Sequence, residues 1–373
     1  MKSNRTSLVL LFVSLLAASP AEAISLRFLG DLNLKTGTKA DGTDFGGISG
    51  LAYDRARDVV YAISDDKGDL QPPRYYTISY RFEAGRPVLG AIKSNPLLDV
   101  SSRSFPKGEL DPEAIAYTSA YGGVRYYSSE GNGRVYPRIM PGIFELGSNG
   151  RIAARFPIPA KFLPETTGTQ TKGVRDNAAF ESLTISPRHS IFSAAEMPLV
   201  QDDTPADFEK GGLSRIIHFA RLKSPSAKPR EYVYKIEANP KPEGAVTDLG
   251  NGISEMLALN DTELLVVERG TSLGLKGARN RIRIYRASLG GATDVSRVAS
   301  LKSRSFRPVE KRLVLDLDTI LPELDRDFRS TDNIEGMTFG PRLPNGNRTL
   351  ILVSDNNFNP LQRTQFLAFE IKE

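Results

Sequence analysis

Four glutamates head four short segments of one rhythm: Glu113-Ala-Ile-Ala-Tyr117, Glu181-Ser-Leu-Thr-Ile185, Glu255-Met-Leu-Ala-Leu259 and Glu335-Gly-Met-Thr-Phe339. A fifth copy, Ser49-Gly-Leu-Ala-Tyr53, begins with Ser instead. The third and fifth positions are always large and apolar, and the fourth is always Ala or Thr. Polar residues precede each acid: Asp111-Pro112, Asp176-Asn177, Asn251-Gly252 and Asp332-Asn333. If the repeats close into a ring, their acids converge. Several carboxylates beside amide and carbonyl oxygens suit a hard cation such as Ca²⁺, so Glu113, Glu181, Glu255 and Glu335 are the expected metal ligands. Without a cation such a ring repels itself and its pKa values rise. The plainer alternative is that these glutamates accept neighbouring backbone N–H groups or pair with arginine.

A second acid follows each copy at the end of another apolar run: Asp65, Glu130, Glu196, Glu268 and Asp355. Arg74, Arg138, Arg269 and Arg363 follow closely and would bridge these acids as structural ion pairs. In the other reading the arginine forks grip a phosphate. Arg74, Arg138 and Arg269, with Asn177 and Asn333, are then the candidate substrate-binding residues.

Familiar chemistry is missing. Ser49 has Gly47 before it but Leu51 after it, so it makes no nucleophile elbow. Only His189 and His218 could serve as imidazole bases, and both read as incidental. There is no P-loop, dinucleotide fingerprint, HExxH or EF-hand loop. Cysteine is absent, which removes disulfides, thiolate catalysis and thiolate metal sites. No catalytic residue can be assigned by type and spacing alone.

The elements that position these acids read as strands. Strict alternation of large apolar and small residues marks a strand with one buried face. The five copies start 64, 68, 74 and 80 residues apart. Each is followed by a second strand ending in the second acid. Third strands are expected to open at Arg74, Arg138, Arg215, Arg281 and Arg363. Fourth strands are expected near Arg155-Phe-Pro-Ile, Tyr232-Val-Tyr-Lys-Ile and Leu313-Val-Leu-Asp-Leu317. Four strands per long repeat point to an all-β, single-domain β-propeller over residues 24–373. The count gives five blades. Because the repeats exceed an ordinary blade of about 40–50 residues, a sixth unmarked blade is the alternative. The chain ends after a third-type strand, so Leu26-Arg-Phe-Leu-Gly-Asp-Leu32 is expected to supply the last strand and close the ring.

Residues 1–23 read as a secretory signal: Lys2 and Arg5, a short apolar run, then Ala21-Glu22-Ala23 for cleavage. Cleavage removes two bases and one acid and lowers the formal charge from +5 to +4. That mild positive charge favours a phosphorylated or other anionic small molecule as partner and argues against nucleic acid. No later segment suggests a membrane anchor. The expectation is an exported, periplasmic or extracellular monomer.

Longer motifs carry a resemblance. Asp332-Asn-Ile-Glu-Gly-Met-Thr-Phe-Gly-Pro341, Leu352-Val-Ser-Asp-Asn-Asn-Phe358 and Gln362-Arg-Thr-Gln-Phe366 are similar to the bacterial family called "esterase-like activity of phytase". So are Gly47-Ile-Ser-Gly-Leu-Ala-Tyr53, Asp111-Pro-Glu-Ala-Ile115, Ser129-Glu-Gly131, Glu196-Met-Pro-Leu199 and Glu268-Arg-Gly270. The resemblance implies an exported protein whose repeated acids serve phosphoester hydrolysis, and it brings no assigned catalytic residues. Propeller phytases bind several Ca²⁺ ions between carboxylates and phosphate, an analogy of fold. The expected function is a Ca²⁺-dependent phosphoester hydrolase. The alternative is a non-catalytic propeller that binds a ligand or protein on one face.

Overall fold

A computed structural model describes residues 24–83, 85–223, 228–275 and 277–372. Residues 1–23, expected as a secretory signal, lie outside them. The described chain forms five four-stranded antiparallel sheets, each wound from the inside outward. Blade 1 holds Ile48–Asp54, Val59–Ser64, Arg74–Glu83 and Arg86–Pro96. Blade 2 holds Pro112–Thr118, Val124–Ser129, Gly142–Leu146 and Ile152–Arg155. Blade 3 holds Phe180–Ile185, Ile191–Ala195, Gly212–Phe219 and Arg230–Ile236. Blade 4 holds Ala245–Ala258, Glu263–Gly274, Gly277–Ser288 and Glu310–Asp316. Blade 5 holds Asn333–Gly340, Thr349–Asp355 and Arg363–Lys372, and its outer strand is Ser25–Lys35 from the chain's beginning.

The fold is therefore the expected propeller, with five blades. Its ring closes as anticipated: Ser25–Lys35 pairs antiparallel with Arg363–Lys372 from Ser25↔Lys372 to Lys35↔Arg363. One apolar core lies between each pair of neighbouring blades. Ala52, Tyr61 and Ile63 of blade 1 meet Ile115, Tyr127 and Phe144 of blade 2. Blades 2 and 3 join around Tyr126, Phe180 and Phe219. Similar clusters join blades 3 and 4, 4 and 5, and 5 and 1. Inner strands are crowded, which explains their small residues. A Cβ on Gly50 would lie 2.8 Å from the Cα of Ala114 in the next blade.

The long repeats are explained by loops that pack, not by a further blade. Phe162 and Val174 of the 156–179 loop enter the core between blades 2 and 3. Val295 and Leu301 of the 289–309 loop cover Val233. Arg215 is fully buried and ties another loop to blade 3, with Nε 2.6 Å from Asp202 and Nη1 2.8 Å from Glu231. Several strand starts differ from expectation: the third strands of blades 3 and 4 begin at Gly212 and Gly277, ahead of Arg215 and Arg281, and their fourth strands at Arg230 and Glu310, while blade 2 departs most. The third strand of blade 2 begins at Gly142 instead of Arg138, because Pro137 and Pro141 carry no N–H to give a ladder. The fourth strand ends at Arg155 instead of beginning there, since Pro157 stops it.

Candidate functional site

The heads of the inner strands and the tails of the second strands meet at one end of the ring. A repeated bond sets their geometry. The amide of Asp65 donates to the carbonyl of Gly47, that of Glu130 to Asp111, and that of Glu196 to Ala179, at 2.8, 3.0 and 2.8 Å. Each accepting residue lies two before the first inner-strand acid or its serine counterpart. The inner strand then bulges: one residue is left unpaired between Ile48 and Gly50, between Phe180 and Ser182, and between Ile334 and Gly336. Those residues are Ser49, Glu181 and Glu335. In blade 2 the bulge holds Glu113 and Ala114.

Blade 4 breaks the pattern and corrects the expected equivalence of Glu255. Here the unpaired residue is Ser254, between Ile253 and Glu255. Gly252, two before Ser254, pairs with Arg269. Ser254 and Arg269 therefore hold the places that acids hold in blades 2, 3 and 5. Glu255 occupies the position of Gly50, Ala114, Ser182 and Gly336. Its Oε1 accepts from the amides of Met256 (2.8 Å) and Leu183 (3.3 Å), while Oε2 is buried without a partner. Burial pushes its pKa well above the usual range. Glu268 is likewise one place off. It accepts from Tyr234, Asn251 and the Glu237 amide, and Lys311 pairs with it. Replacing Glu255 with Gln should therefore change the melting temperature little and leave any Ca²⁺ response intact. A lost Ca²⁺ response in Glu255→Gln would put that carboxylate back among the ligands.

Asp65, Asp111, Glu113, Glu130, Glu181, Glu196, Glu335 and Asp355 surround the mouth, with Lys67 and Arg269 as its cations. Burial first, then mutual repulsion, raises Asp65, Glu113, Glu181 and Asp355 well above normal carboxylates. The same causes push Glu130 to about 8. Burial brings Glu196 to about 7, with Arg269 opposing and Glu335 adding to the rise. A group this acidic holds protons or a cation.

Three of these acids converge. One oxygen each from Asp111, Glu113 and Glu130 lies within 4.8 Å of the other two. Oxygens around one Ca²⁺, each at about 2.3–2.6 Å, are separated by at most about 4.6–5.2 Å. Asp111 Oδ1 and Glu130 Oε2 are buried with no hydrogen-bond partner. Three other oxygens are occupied: Ser49 Oγ donates to Glu113 Oε2 at 2.6 Å, Lys67 Nζ lies 2.5 Å from Asp111 Oδ2, and the Ala179 amide donates to Glu130 Oε1. The donor set is all carboxylate oxygen, which fits a hard divalent cation. Asp65 Oδ1 nearby also lacks a partner. It is approached so closely by Gly47 (φ +60°) that a Cβ there would sit 2.2 Å from it, so only glycine fits.

The remaining expected residues divide. Arg269 spans three blades: Nη1 donates to Asn333 Oδ1 at 2.7 Å, and Nη2 lies 3.1 Å from Glu196 and 3.3 Å from Glu335. Asn333 also donates to Glu335 at 2.8 Å. Asn177 accepts from Lys67 at 3.2 Å at the exposed edge. Arg74 and Arg138 do not bridge the second acids as expected. Arg74 pairs with Asp66, the neighbour of Asp65, and with Tyr76. Arg138 donates to the carbonyls of Glu165 and Gly168. Arg363 donates its amide to Asp332 and stacks on Phe328. Lys67 was not singled out by spacing. Its only signal is its place in Asp65-Asp66-Lys67-Gly68-Asp69, directly after a second acid.

The fold and these acids define a five-bladed propeller with one acid-lined mouth. The chain belongs to the family described as "Phytase-like: Esterase-like activity of phytase", whose profile matches residues 43–358. No curated protein matches it by sequence. Among solved structures it is similar to the catalytic domain of a Coprinopsis cinerea GH62 α-L-arabinofuranosidase (11% identity, 93% of this chain and 96% of that one, TM-score 0.42). It is also similar to an endo-arabinase from Bacteroides thetaiotaomicron (11% identity, 94% and 98%, TM-score 0.40). At these values the likeness is too remote to carry anything about activity.

Proposed function

We propose that the acid-lined mouth is the active site of a divalent-metal-dependent phosphoester hydrolase, with Ca²⁺ the best-fitting ion. The observation that carries this reading is the convergence of Asp111, Glu113 and Glu130 with two buried oxygens left unpartnered. A bound cation would supply charge neutralisation and Lewis acidity toward a phosphoryl oxygen. Asp111, Glu113 and Glu130 hold that cation in place of the Glu113, Glu181, Glu255 and Glu335 set expected by spacing. Lys67 and Arg269 give the mouth positive points for an anionic substrate, and an arginine fork matches phosphate geometry. Glu196, near pH 7 half protonated, is suited to passing a proton to a departing oxygen. Glu335 holds Arg269 in place, and Glu181 lies within electrostatic reach of Glu196, Glu335 and Arg269. The family description supports hydrolysis. Export to the periplasm or medium remains part of this proposal.

The test is hydrolysis by purified protein of p-nitrophenyl phosphate and inositol hexakisphosphate, with p-nitrophenyl acetate as the carboxyl ester control. Phosphate release should require Ca²⁺ and stop with chelator, and the acetate should not turn over faster than in buffer. No Ca²⁺-dependent release from either phosphoester would leave a ligand-binding propeller.

A further inference from the structure

A cavity of the described molecule lies away from the acids. It occupies 560 Å³ at the opposite mouth, where the inner strands end. By strand rise, Tyr53 lies about 13 Å along the chain from Ser49. The cavity is of ligand size, since small-molecule pockets measure about 300–1,000 Å³. Its inner wall is Leu51, Ile115, Leu183, Met256 and Met337, one from each blade. Tyr53, Tyr117, Ile185 and Phe339 stand further out and are only half-buried. Large apolar side chains left half-covered in a concave site favour an apolar occupant. Two polar groups in the wall are already satisfied as acceptors: Thr338 Oγ1 takes the Tyr53 amide at 3.1 Å, and Thr184 Oγ1 the Ala258 amide at 2.9 Å.

The rim is basic. Arg55, Arg342 and Arg348 line it, and Asp58 is the single acid among the lining residues. Asp58 is engaged by Tyr53 Oη at 2.6 Å. Arg348 stacks on Phe339 and Arg342 braces the Gly346 carbonyl. The two ends of the ring thus have opposite character: acids at one, an apolar bowl edged with arginine at the other.

We propose that this second mouth binds a small amphipathic carboxylate of the medium-chain fatty acid class, with its apolar body in the bowl and its head group at the Arg55–Arg342–Arg348 edge. Apolar lining selects the body and the arginine excess selects the sign of the head group. The inference stands apart from the proposed hydrolase, because no residue is shared between the two mouths.

Titration calorimetry with decanoate, on the chain without its signal, tests it. Decanoate should bind saturably at one site, and decyltrimethylammonium at least tenfold more weakly. The double variant Arg55→Gln/Arg342→Gln should weaken decanoate at least tenfold, and Ile185→Trp should abolish binding at an unchanged melting temperature. If Ile185→Trp melts early, the arginine pair, both exposed, decides alone. Equal binding of decanoate and decyltrimethylammonium, normal binding to the arginine variant, or no saturable heat with decanoate would each overturn the proposal. So would co-sedimentation with phosphatidylglycerol vesicles in the absence of decanoate binding, which would make the mouth a membrane-contacting surface instead.

Discussion

Removal of residues 24–35 is expected to destroy the cooperative unfolding transition of this protein. The deleted strand makes ten cross-strand pairs with Arg363–Lys372, which lie more than 300 residues away in sequence. It also brings Leu26, Phe28, Leu32 and Leu34 against the cores on either side of blade 5. Four half-buried apolar side chains at about 1–1.5 kcal/mol each contribute about 4–6 kcal/mol. That rivals the whole stability of a typical domain, about 5–15 kcal/mol. The Arg27–Glu370 ion pair, 2.6 Å apart but half exposed, adds little. Deletion also bares the edge of Arg363–Lys372, a template for pairing with other chains. Calorimetry should show a broad, early transition with aggregation. A peptide of residues 24–35 added in trans should restore the sharp transition by adding the missing strand. A truncated chain melting within about 3 °C of the parent would refute closure as the source of stability.

The second large effect is a pH-dependent response to Ca²⁺. In metal-free protein Glu130 titrates near 8 and Glu196 near 7, both held up chiefly by burial. Their unfolded values lie near 4.3. The folded state therefore binds more protons than the unfolded one between about pH 4.3 and 8. The stability these protonated groups contribute is complete below pH 4.3 and is lost as pH rises through 7 and 8. With chelator present, the melting temperature should fall from pH 5 to pH 8.5. If Ca²⁺ binds as proposed, it would replace the protons on Asp111, Glu113 and Glu130, so its effect should grow over the same range. At a hundred times its Kd it should add about 2.7 kcal/mol at pH 8, and much less at pH 5 where protons compete. Asp111→Asn and Glu130→Gln should lose this response and any Ca²⁺-dependent hydrolysis. Both should also relieve repulsion and melt higher than the parent in chelator at pH 8. Identical melting in Ca²⁺ and chelator at pH 8, with no metal found by elemental analysis of the protein as isolated, would remove the cation from the account.

Much of this architecture was legible because propeller strands write their geometry into local rhythm. Large apolar residues at alternate positions, with Ala or Thr between them, mark strands squeezed between neighbouring blades. The unpaired third-type strand at the C-terminus called for Leu26–Leu32. The acids converge at one end because the same rhythm recurs in every blade. Blade 4 departs from the expected equivalence because its acid lies one place along from the bulge. Aligned on its apolar residues, Ile253-Ser254 matches Ile48-Ser49, and Met256 matches Met337. That shift moves Glu255 into the small-residue position and puts Arg269, not Glu268, at the strand's end. The convergent acid triad was less visible because it is not a ring of equivalents. It takes Glu113 from an inner strand, Glu130 from a second strand, and Asp111 from the turn before blade 2, a combination that spacing does not announce. The packed loops were opaque for a different reason: Phe162 and Val174 sit in Pro- and Gly-rich text, and Leu301 in Ser- and Arg-rich text, that resembles a solvated loop.

The odd fourth blade also bears on symmetry. Five equal blades would present a ligand with five interchangeable poses, each turned by a fifth of a revolution. Ser254 and Arg269 remove that degeneracy. They put a positive side chain in the blade 4 sector, while Asp111, Glu113 and Glu130 gather acids in the blade 2 sector. The ring therefore has a handedness of charge about its axis as well as a difference between its two ends. An asymmetric molecule entering the acid mouth meets one preferred orientation, set by which repeat diverged and not by any insertion.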